Sequence, residues 1–214
     1  MENIADRFKI LDSLRDSKLQ RARYCASLTV PSILPPENWT EQDQLPQPFS
    51  SVSARGVTAM ASRMLSALLP LNDMPFFKFD LASGVTAEPE INDYLENLSF
   101  QVYNKLSSNN IRESIYQALQ HLIVVGDVML IMGDDMSFRL IRLDRFVCRR
   151  DVYGNLEEVI YIEYETLPEV VNDNMTLHTG QSIGEHDRKG YRAIYTAAWK
   201  EGDVWKVLKQ DGDN

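Results

Sequence analysis

The sequence predicts an α+β fold in which amphipathic N-terminal helices pack with an antiparallel β-meander. Apolar residues recur at helical spacing in several stretches up to Gly126, and the period then changes from helical to extended. The 214 residues, 44% hydrophobic and 25% charged, have a globular composition that excludes a disordered or collagen-like polymer. We expect one domain or two small ones, with a mainly helical part over residues 1–126 and a β-rich part over residues 127–214.

Four helices are predicted in the first part from apolar periodicity and from helix start and stop signals. Proline disfavours a helical conformation in the residue before it, so Pro31 ends the first helix. Gly126 is a natural C-terminal stop for the fourth. The four are expected from Asn3 to Leu28, from the serine cluster at 50–53 to Pro70, from Glu88 and Pro89 to the polar residues 107–110, and from there to Gly126.

The second helix is apolar over more of its circumference than a single buried stripe requires. A helix of this kind is buried between elements of one chain or between subunits, which favours an assembly protein over a monomeric enzyme. The residues concerned are Met60, Met64, Leu65, Leu68 and Leu69.

Extended segments rich in branched and aromatic residues predict strands, and Gly-Asp or Gly-Asn clusters between them predict turns. A short strand is expected first, then a four-stranded meander, then an exposed polar loop over residues 172–188, and finally a hairpin. The expected strands are Met74 to Leu81, Asp127 to Met132, Phe138 to Leu143, Arg145 to Arg150, Leu156 to Tyr164, Tyr191 to Trp199 and Val204 to Leu208.

The charge balance and the apolar runs exclude several classes of protein. A formal net charge of −9 argues against tight, nonspecific binding of a polyphosphate backbone. The most apolar run, Leu122 to Met132, is too short to span a bilayer, and the first residues do not form a secretory signal. We therefore expect no membrane partner. Cys25 and Cys148 lie far apart without metal-ligand spacing, and they predict an intracellular product without a disulfide framework.

Candidate catalytic residues are few. His178 and His186 lie in the polar loop with Glu185 and could bind a metal ion, although the spacing matches no known ligand pattern. This leaves a metal-dependent enzyme as an open alternative. His121 on the fourth helix is interpreted as a partly buried structural histidine, because no nucleophile motif accompanies it. No glycine-rich phosphate loop is present. We therefore assign no catalytic, cofactor or metal residue and expect no cofactor.

Two further features have a structural and a functional interpretation. Cys25 has Arg21 and Arg23 nearby, which can activate a thiol, but packing on the helix is the simpler interpretation. A run of arginines forms either salt bridges with Asp144 and Asp151 or a contact with a neighbouring subunit or a nucleic acid backbone. The run comprises Arg139, Arg142, Arg145, Arg149 and Arg150.

Several stretches, in this order, resemble the portal proteins, or head-to-tail connectors, of T7-like short-tailed phages. The Ala-Arg-Gly helix and the Arg-Asp-Val-aromatic-Gly-Asn turn are the most specific of them. The stretches are Thr29–Pro35, Ala54–Pro70, Ala118–Ile131, and Leu140–Leu143 followed by Arg150–Asn155.

The resemblance implies a structural subunit of the portal vertex in the virion, made in the host bacterial cytoplasm, and not an enzyme. Such portals are dodecameric rings through which a terminase motor drives double-stranded DNA without sequence-specific binding. Capsid and scaffolding proteins, a tail adaptor and internal core proteins are the other implied partners. An acidic channel wall suits this role, because strong phosphate binding would slow translocation.

The resemblance extends from about Tyr24 to Tyr164, and the chain ends within what resembles the wing of a portal subunit. Members of the family are more than twice as long. The chain is therefore either the N-terminal part of a longer protein, which we expect, or a truncated relative, with the stem, clip and crown absent from it. Interface and channel residues are not readable from the sequence. A cytoplasmic adaptor that binds a protein partner through the second helix remains an alternative.

Overall fold

The structure, a computed structural model, describes residues 3–37, 39, 43–70, 75–81, 89–166 and 191–212. Within this part the chain has an α+β fold with five α-helices and six antiparallel β-strands, which confirms the predicted class. A 3-10 turn at Leu143–Arg145 precedes the third strand. The elements are α1 Ile4–Ser13, α2 Asp16–Leu28, α3 Val52–Leu68, α4 Pro89–Ser108, α5 Ile111–Val125, β1 Met129–Met132, β2 Phe138–Ile141, β3 Phe146–Arg150, β4 Leu156–Thr166, β5 Tyr191–Glu201 and β6 Val204–Asp211.

The single helix predicted from Asn3 to Leu28 is wrong, because the chain breaks into α1 and α2 at Leu14 and Arg15. The amide of Arg15 donates to the carbonyl of Asp12 at 3.0 Å, a tightened bond that ends α1. The guanidinium of Arg15 also pairs with the Asp12 carboxylate at 2.9 Å. Apolar periodicity continues through this break, so the pattern alone could not reveal it.

The chain divides into two compact units, and the boundary between them falls inside α2. The first unit comprises Met1–Arg21, Pro36–Gln44 and Leu143–Asn214. The second comprises Ala22–Pro35 and Leu45–Arg142. This division by contacts differs from a division by element type at residue 126. Helix α1 packs with strands of the larger sheet, whereas β2 packs with α5.

The first unit is built on a four-stranded antiparallel sheet with the order β3-β4-β5-β6. Helix α1 lies on one face of this sheet, where Ile4 and Phe8 meet Val147, Ile160 and other inward residues. The Phe8 ring contacts Tyr195 edge-on, with 5.8 Å between ring centroids. Burial of these apolar side chains holds the helix on the sheet.

The second unit is built around α5, which packs against α3, α4 and β2. Arg112 of α5 donates a hydrogen bond to the carbonyl of Leu69 and satisfies the C-terminal end of α3. Gly126, with φ +82°, ends α5 as predicted. The hairpin of β1 and β2 follows, in which Met129 lies opposite Ile141.

The predicted four-stranded meander is corrected, since its strands belong to two separate sheets. Strands β1 and β2 pair only with each other in the described part of the chain, and β3 and β4 belong to the larger sheet. The 3-10 turn at Leu143–Arg145 separates them and buries Leu143. The final hairpin is confirmed as β5 and β6, whereas the polar loop at 172–188 lies outside the described residues.

The strand predicted from Met74 to Leu81 is also wrong over its described residues, 75–81, which form no ladder. Their phenylalanines pack instead as an edge-to-face series, with 5.1 Å between the centroids of Phe76 and Phe77. The amide of Phe79 donates to Oγ of the buried Ser99 on α4 at 3.2 Å. Alternating aromatic residues therefore reflect packing on a helix in this segment.

Candidate assembly surfaces

Helix α3 has one buried side and one open side. Val57 and Ala61 are 6% and 0% exposed and face α5, as the close packing of these two helices requires. Val52 and Met60, which point elsewhere, are 65% and 53% exposed. The apolar excess predicted from the sequence is uncovered only in part. Met60 and Leu68 are 53% and 56% exposed, Met64 and Leu65 are half-buried, and Leu69 is buried.

Three hydroxyl groups of α3 are satisfied within the helix itself. Thr58, Ser62 and Ser66 each donate to the carbonyl four residues earlier, at 3.1, 2.8 and 3.0 Å. The open side therefore offers apolar atoms together with the exposed guanidinium groups of Arg55 and Arg63. We call the surface formed by Val52, Arg55, Met60 and Arg63 the α3 outer face.

The turn between β3 and β4 projects two apolar side chains into solvent. Val152 and Tyr153 are 95% and 87% exposed. The Asp151 carboxylate holds the turn by accepting hydrogen bonds from the amides of Tyr153 and Asn155, at 2.9 and 2.8 Å, and from the Asn155 side chain at 2.9 Å. These bonds, with the Asn155 side chain first, lower the pKa of Asp151 below its ordinary value.

This exposed tip is a candidate contact that sequence reasoning missed. The turn predicted from Tyr153, Gly154 and Asn155 is confirmed, but a turn signal does not show which side chains form hydrogen bonds. Asp151 and Asn155 bond to each other and to the backbone, so the two residues after Asp151 are the ones that point outward. The signal that could have identified this exposed tip is the pair Asp151 and Asn155 on either side of two apolar residues.

The arginines of the run have different partners. Arg149 lies 3.4 Å from carboxylate oxygens of both Glu157 and Glu158. Arg150 donates to the carbonyl of Gly154 at 3.1 Å. Salt bridges were therefore the right interpretation for Arg149, but the partners come from β4, because the predicted partner Asp151 bonds to the turn.

The other three arginines of the run also have different positions and contacts. The guanidinium of Arg145 lies over the Tyr164 ring, 5.2 Å from its centroid. Arg139 is exposed on β2, whereas Arg142 lies after the end of that strand. These positions separate the arginines along the chain and between sheets.

The structure describes His121 but not the catalytic candidates of the polar loop. His121 is partly buried on α5, as expected. The loop residues His178, Glu185 and His186 lie outside the described residues. Among those that are described, no group of three or more His, Cys, Asp or Glu side chains could hold a metal ion. The interpretation of Cys25 as a residue packed on the helix is wrong, because its side chain is exposed on α2.

The outer strand of the larger sheet also carries uncovered apolar side chains. Val204, Trp205 and Val207 of β6 are 64%, 44% and 67% exposed. In the described residues β6 pairs with β5 alone, so it is the edge strand of this sheet. None of the described helices has the length and apolar character needed to span a bilayer.

A comparison with known proteins matches this chain to a family. The family model described as bacteriophage head to tail connecting protein matches residues 1–174. The match includes all five helices and the first four strands.

Individual relatives agree with the family match. The chain is 27% identical to the portal protein of Enterobacteria phage T3, in an alignment that covers 89% of this chain and 37% of the relative. It is 25% identical to the portal protein of Escherichia phage T7, with 82% and 35% covered. For the portal protein of Enterobacteria phage SP6 the identity is 22%, with 94% and 40% covered. The chain thus spans well under half the length of the curated relatives that it matches.

Proposed function

The chain belongs to the bacteriophage head to tail connecting protein family, and from this premise we propose that it forms the wing of a portal subunit. In this proposal residues 1–126 are the mainly helical part of the wing and residues 127–214 its β-rich part. Copies assemble into a closed ring at one vertex of the capsid. The subunit is structural and has no catalytic role or cofactor of its own.

The ring is proposed to act as a conduit and a docking platform during DNA packaging and ejection. Double-stranded DNA passes through it without sequence-specific contacts, and the work comes from a separate terminase motor. The capsid and scaffolding proteins, a tail adaptor and internal core proteins are the other proposed partners. The protein would be made in the host bacterial cytoplasm and retained in the virion, with twelve copies in the ring.

The observation that carries the proposal is the uncovered apolar side of α3 in a chain of this family. Met60, at 53% exposed, and Val52, at 65%, lie on a helix of a soluble fold whose opposite side is already packed. A contiguous exposed apolar patch is a feature of protein–protein interaction sites. A ring of identical subunits would cover such a surface in every copy.

Size and shape measurements on the longest native chain containing these residues test the proposal. Light scattering should give a mass about twelve times that of the subunit, and negative-stain images should show rings with a central hole. A protein that stays monomeric at all concentrations would contradict it.

The exposed α3 surface equally suits a cytoplasmic adaptor that binds another protein through this helix. The same measurements separate the two functions, because an adaptor remains small in the absence of its partner. The metal-dependent enzyme alternative depends on His178 and His186, and replacing either histidine should abolish a metal-dependent activity if one exists.

A further inference from the structure

Helix α3 carries cations without any acidic residue. The protein carries a formal net charge of −9, yet the α3 sequence contains two arginines and no acidic residue. Both side chains are exposed, and within the described residues neither guanidinium forms an ion pair. Arg55 lies in the first turn, where the helix dipole disfavours a cation. The helix dipole therefore does not account for Arg55.

Helix α4 has the opposite character over its N-terminal half. Glu90, Asp93 and Glu96 are exposed, and the only cation on the helix, Lys105, is in the last turn. Within the described part of the chain these three carboxylates have no cationic partner. Tyr94 lies among them with 67% of its surface exposed. We call the surface formed by Glu90, Asp93, Tyr94 and Glu96 the α4 acidic face.

The helix dipole explains only part of this cluster. An acid in the first turn, such as Glu90, is stabilised by the dipole, but the effect falls off beyond that turn. Asp93 and Glu96 lie further along and gain little from it. Two exposed acids at this spacing also repel each other weakly, so helix stability does not favour the cluster.

We propose that the α3 outer face of one subunit docks on the α4 acidic face of the next copy. This inference rests on the proposed function as a ring subunit. One surface presents two arginines with Met60 and Val52, and the other presents three carboxylates with Tyr94. The two surfaces are different and complementary, as a head-to-tail contact between identical subunits requires.

The geometry of the two helices fits this contact. Arg55 and Arg63 are eight residues apart, about 12 Å along a helix axis, and Glu90 and Glu96 are six apart, about 9 Å. The long arginine side chains cover the difference. Both helices pack on α5 within one compact unit, so that each subunit presents the two faces in a fixed arrangement.

The charged groups in such a contact set the choice of partner and the orientation more than the affinity. Attraction between exposed charges is modest and screened by salt, whereas like charges placed opposite each other suppress the wrong pairing. The apolar side chains supply the area buried. Assembly through this contact should therefore weaken as the salt concentration rises.

Charge reversal on each face provides the test, using the longest native chain. One variant carries R55E and R63E, so that both of its faces are acidic. The other carries E90K, D93K and E96K, so that both of its faces are basic. Each variant alone should form at least tenfold fewer rings than the wild type, as counted by mass photometry and negative-stain imaging.

Mixing the two variants gives the decisive result. In a head-to-tail contact, the acidic α3 of the first variant meets the basic α4 of the second, and the basic α3 of the second meets the acidic α4 of the first. Every contact in an alternating ring is then attractive. The mixture should recover rings in which the two variants occur in equal number, measured by native mass spectrometry with one variant isotopically labelled.

Matched controls separate this contact from general effects of charge. K18E with R21E on α2 makes the same change of charge at two exposed positions and should leave the yield of rings unchanged. Thermal unfolding followed by circular dichroism should show that all variants remain folded.

The outcomes distinguish this contact from the ring itself. If the wild type forms rings and both reversed variants form them equally well, the contact is wrong and the proposed function stands. If the wild type forms no ring, the proposed function fails first. The R55E/R63E variant could instead form rings normally and lose a salt-dependent interaction with DNA. That result would show that the α3 outer face contacts nucleic acid and not the next subunit.

Discussion

Arg7 of α1 and Glu158 of β4 form a two-pronged ion pair that fixes the helix to the larger sheet. Nε and Nη2 of Arg7 donate to the two carboxylate oxygens of Glu158 at 3.2 and 3.0 Å. The side chains are only 29% and 13% exposed, so solvent screens the pair less than a surface ion pair. The pair gives α1 a defined position that apolar packing alone would leave less specific.

Replacing Glu158 with alanine should destabilise the first unit by about 1–3 kcal/mol, because Arg7 would lose a charged partner while partly buried. Urea unfolding followed by circular dichroism measures the change. Lys209→Ala is the control, since its contact with Glu165 is at 3.4 Å between side chains that are 56% and 61% exposed. That variant should lose no more than about 0.5 kcal/mol, and equal losses in both would contradict the ranking.

Ile160 occupies the centre of the core under α1 and is 1% exposed. Ile160→Ala should cost about 2–5 kcal/mol, from lost burial and from the cavity that remains, and Ile160→Val about 0.5–1.5 kcal/mol. Val152→Ala, at a side chain that is 95% exposed, should change stability by less than about 0.5 kcal/mol. A small effect of Ile160→Ala in denaturant unfolding would mean that α1 does not cover this face of the sheet.

Two glycines should respond oppositely to alanine, although neither has an atom within 4 Å of an added Cβ. Gly154 has φ +88°, so alanine there should cost about 1–2 kcal/mol through backbone strain alone. Gly56 lies inside α3, so alanine should stabilise the protein by about 0.5–1 kcal/mol through helix propensity. Thermal or urea unfolding of the two variants should move in opposite directions. Shifts of the same sign would show that one of these conformations is wrong.

Features that depend on neighbouring residues were predictable from the sequence. Pro89 and Gly126 set the start of α4 and the end of α5 through their own backbone preferences, and the structure places both ends as predicted. The break at Leu14 was not predictable, because it depends on which surfaces α1 and α2 cover. The same reason explains why β2 and β3, close in sequence, belong to different sheets.

The candidate surfaces were predictable only in part. The excess of apolar residues on α3 indicated an interface, because a pattern that exceeds one buried stripe is visible without a structure. The acidic face of α4 was missed, since Glu90 and Asp93 look like ordinary solvated residues until their lack of cationic partners is known. The exposure of Tyr153 at its turn likewise depends on how Asp151 bonds.

Asp151 should make stability depend on pH in the acid range. Its folded-state pKa lies below the ordinary 3.8, so the unfolded chain takes up a proton at higher pH than the folded one. The stabilisation from this carboxylate is therefore present above 3.8 and lost as pH falls through the folded pKa. Asp151→Asn keeps an acceptor oxygen but no charge. Urea unfolding at pH 7, 5, 4 and 3 measures the effect. The wild type should have a higher urea midpoint than Asp151→Asn at pH 7, and this difference should shrink below pH 4. A difference that stays constant with pH would show that it does not come from the charge of Asp151.

Met60 and Ala61 are adjacent on α3 but should give different results when changed to aspartate. Ala61 is 0% exposed against α5, so a carboxylate there would be buried without a partner and should cost several kcal/mol, enough to prevent folding. Met60 is 53% exposed, so Met60→Asp should fold with an unfolding midpoint close to that of the wild type.

The Met60 variant nevertheless places a carboxylate on the surface that we assign to the contact with the next subunit. There it would face the carboxylates of α4 and lose apolar area, so rings should form at least tenfold less in the longest native chain. Circular dichroism measures folding and mass photometry measures assembly on the same samples. If Met60→Asp assembles like the wild type while Ala61→Asp fails to fold, α3 is buried only within its own subunit, and the exposed side of the helix faces solvent in the ring.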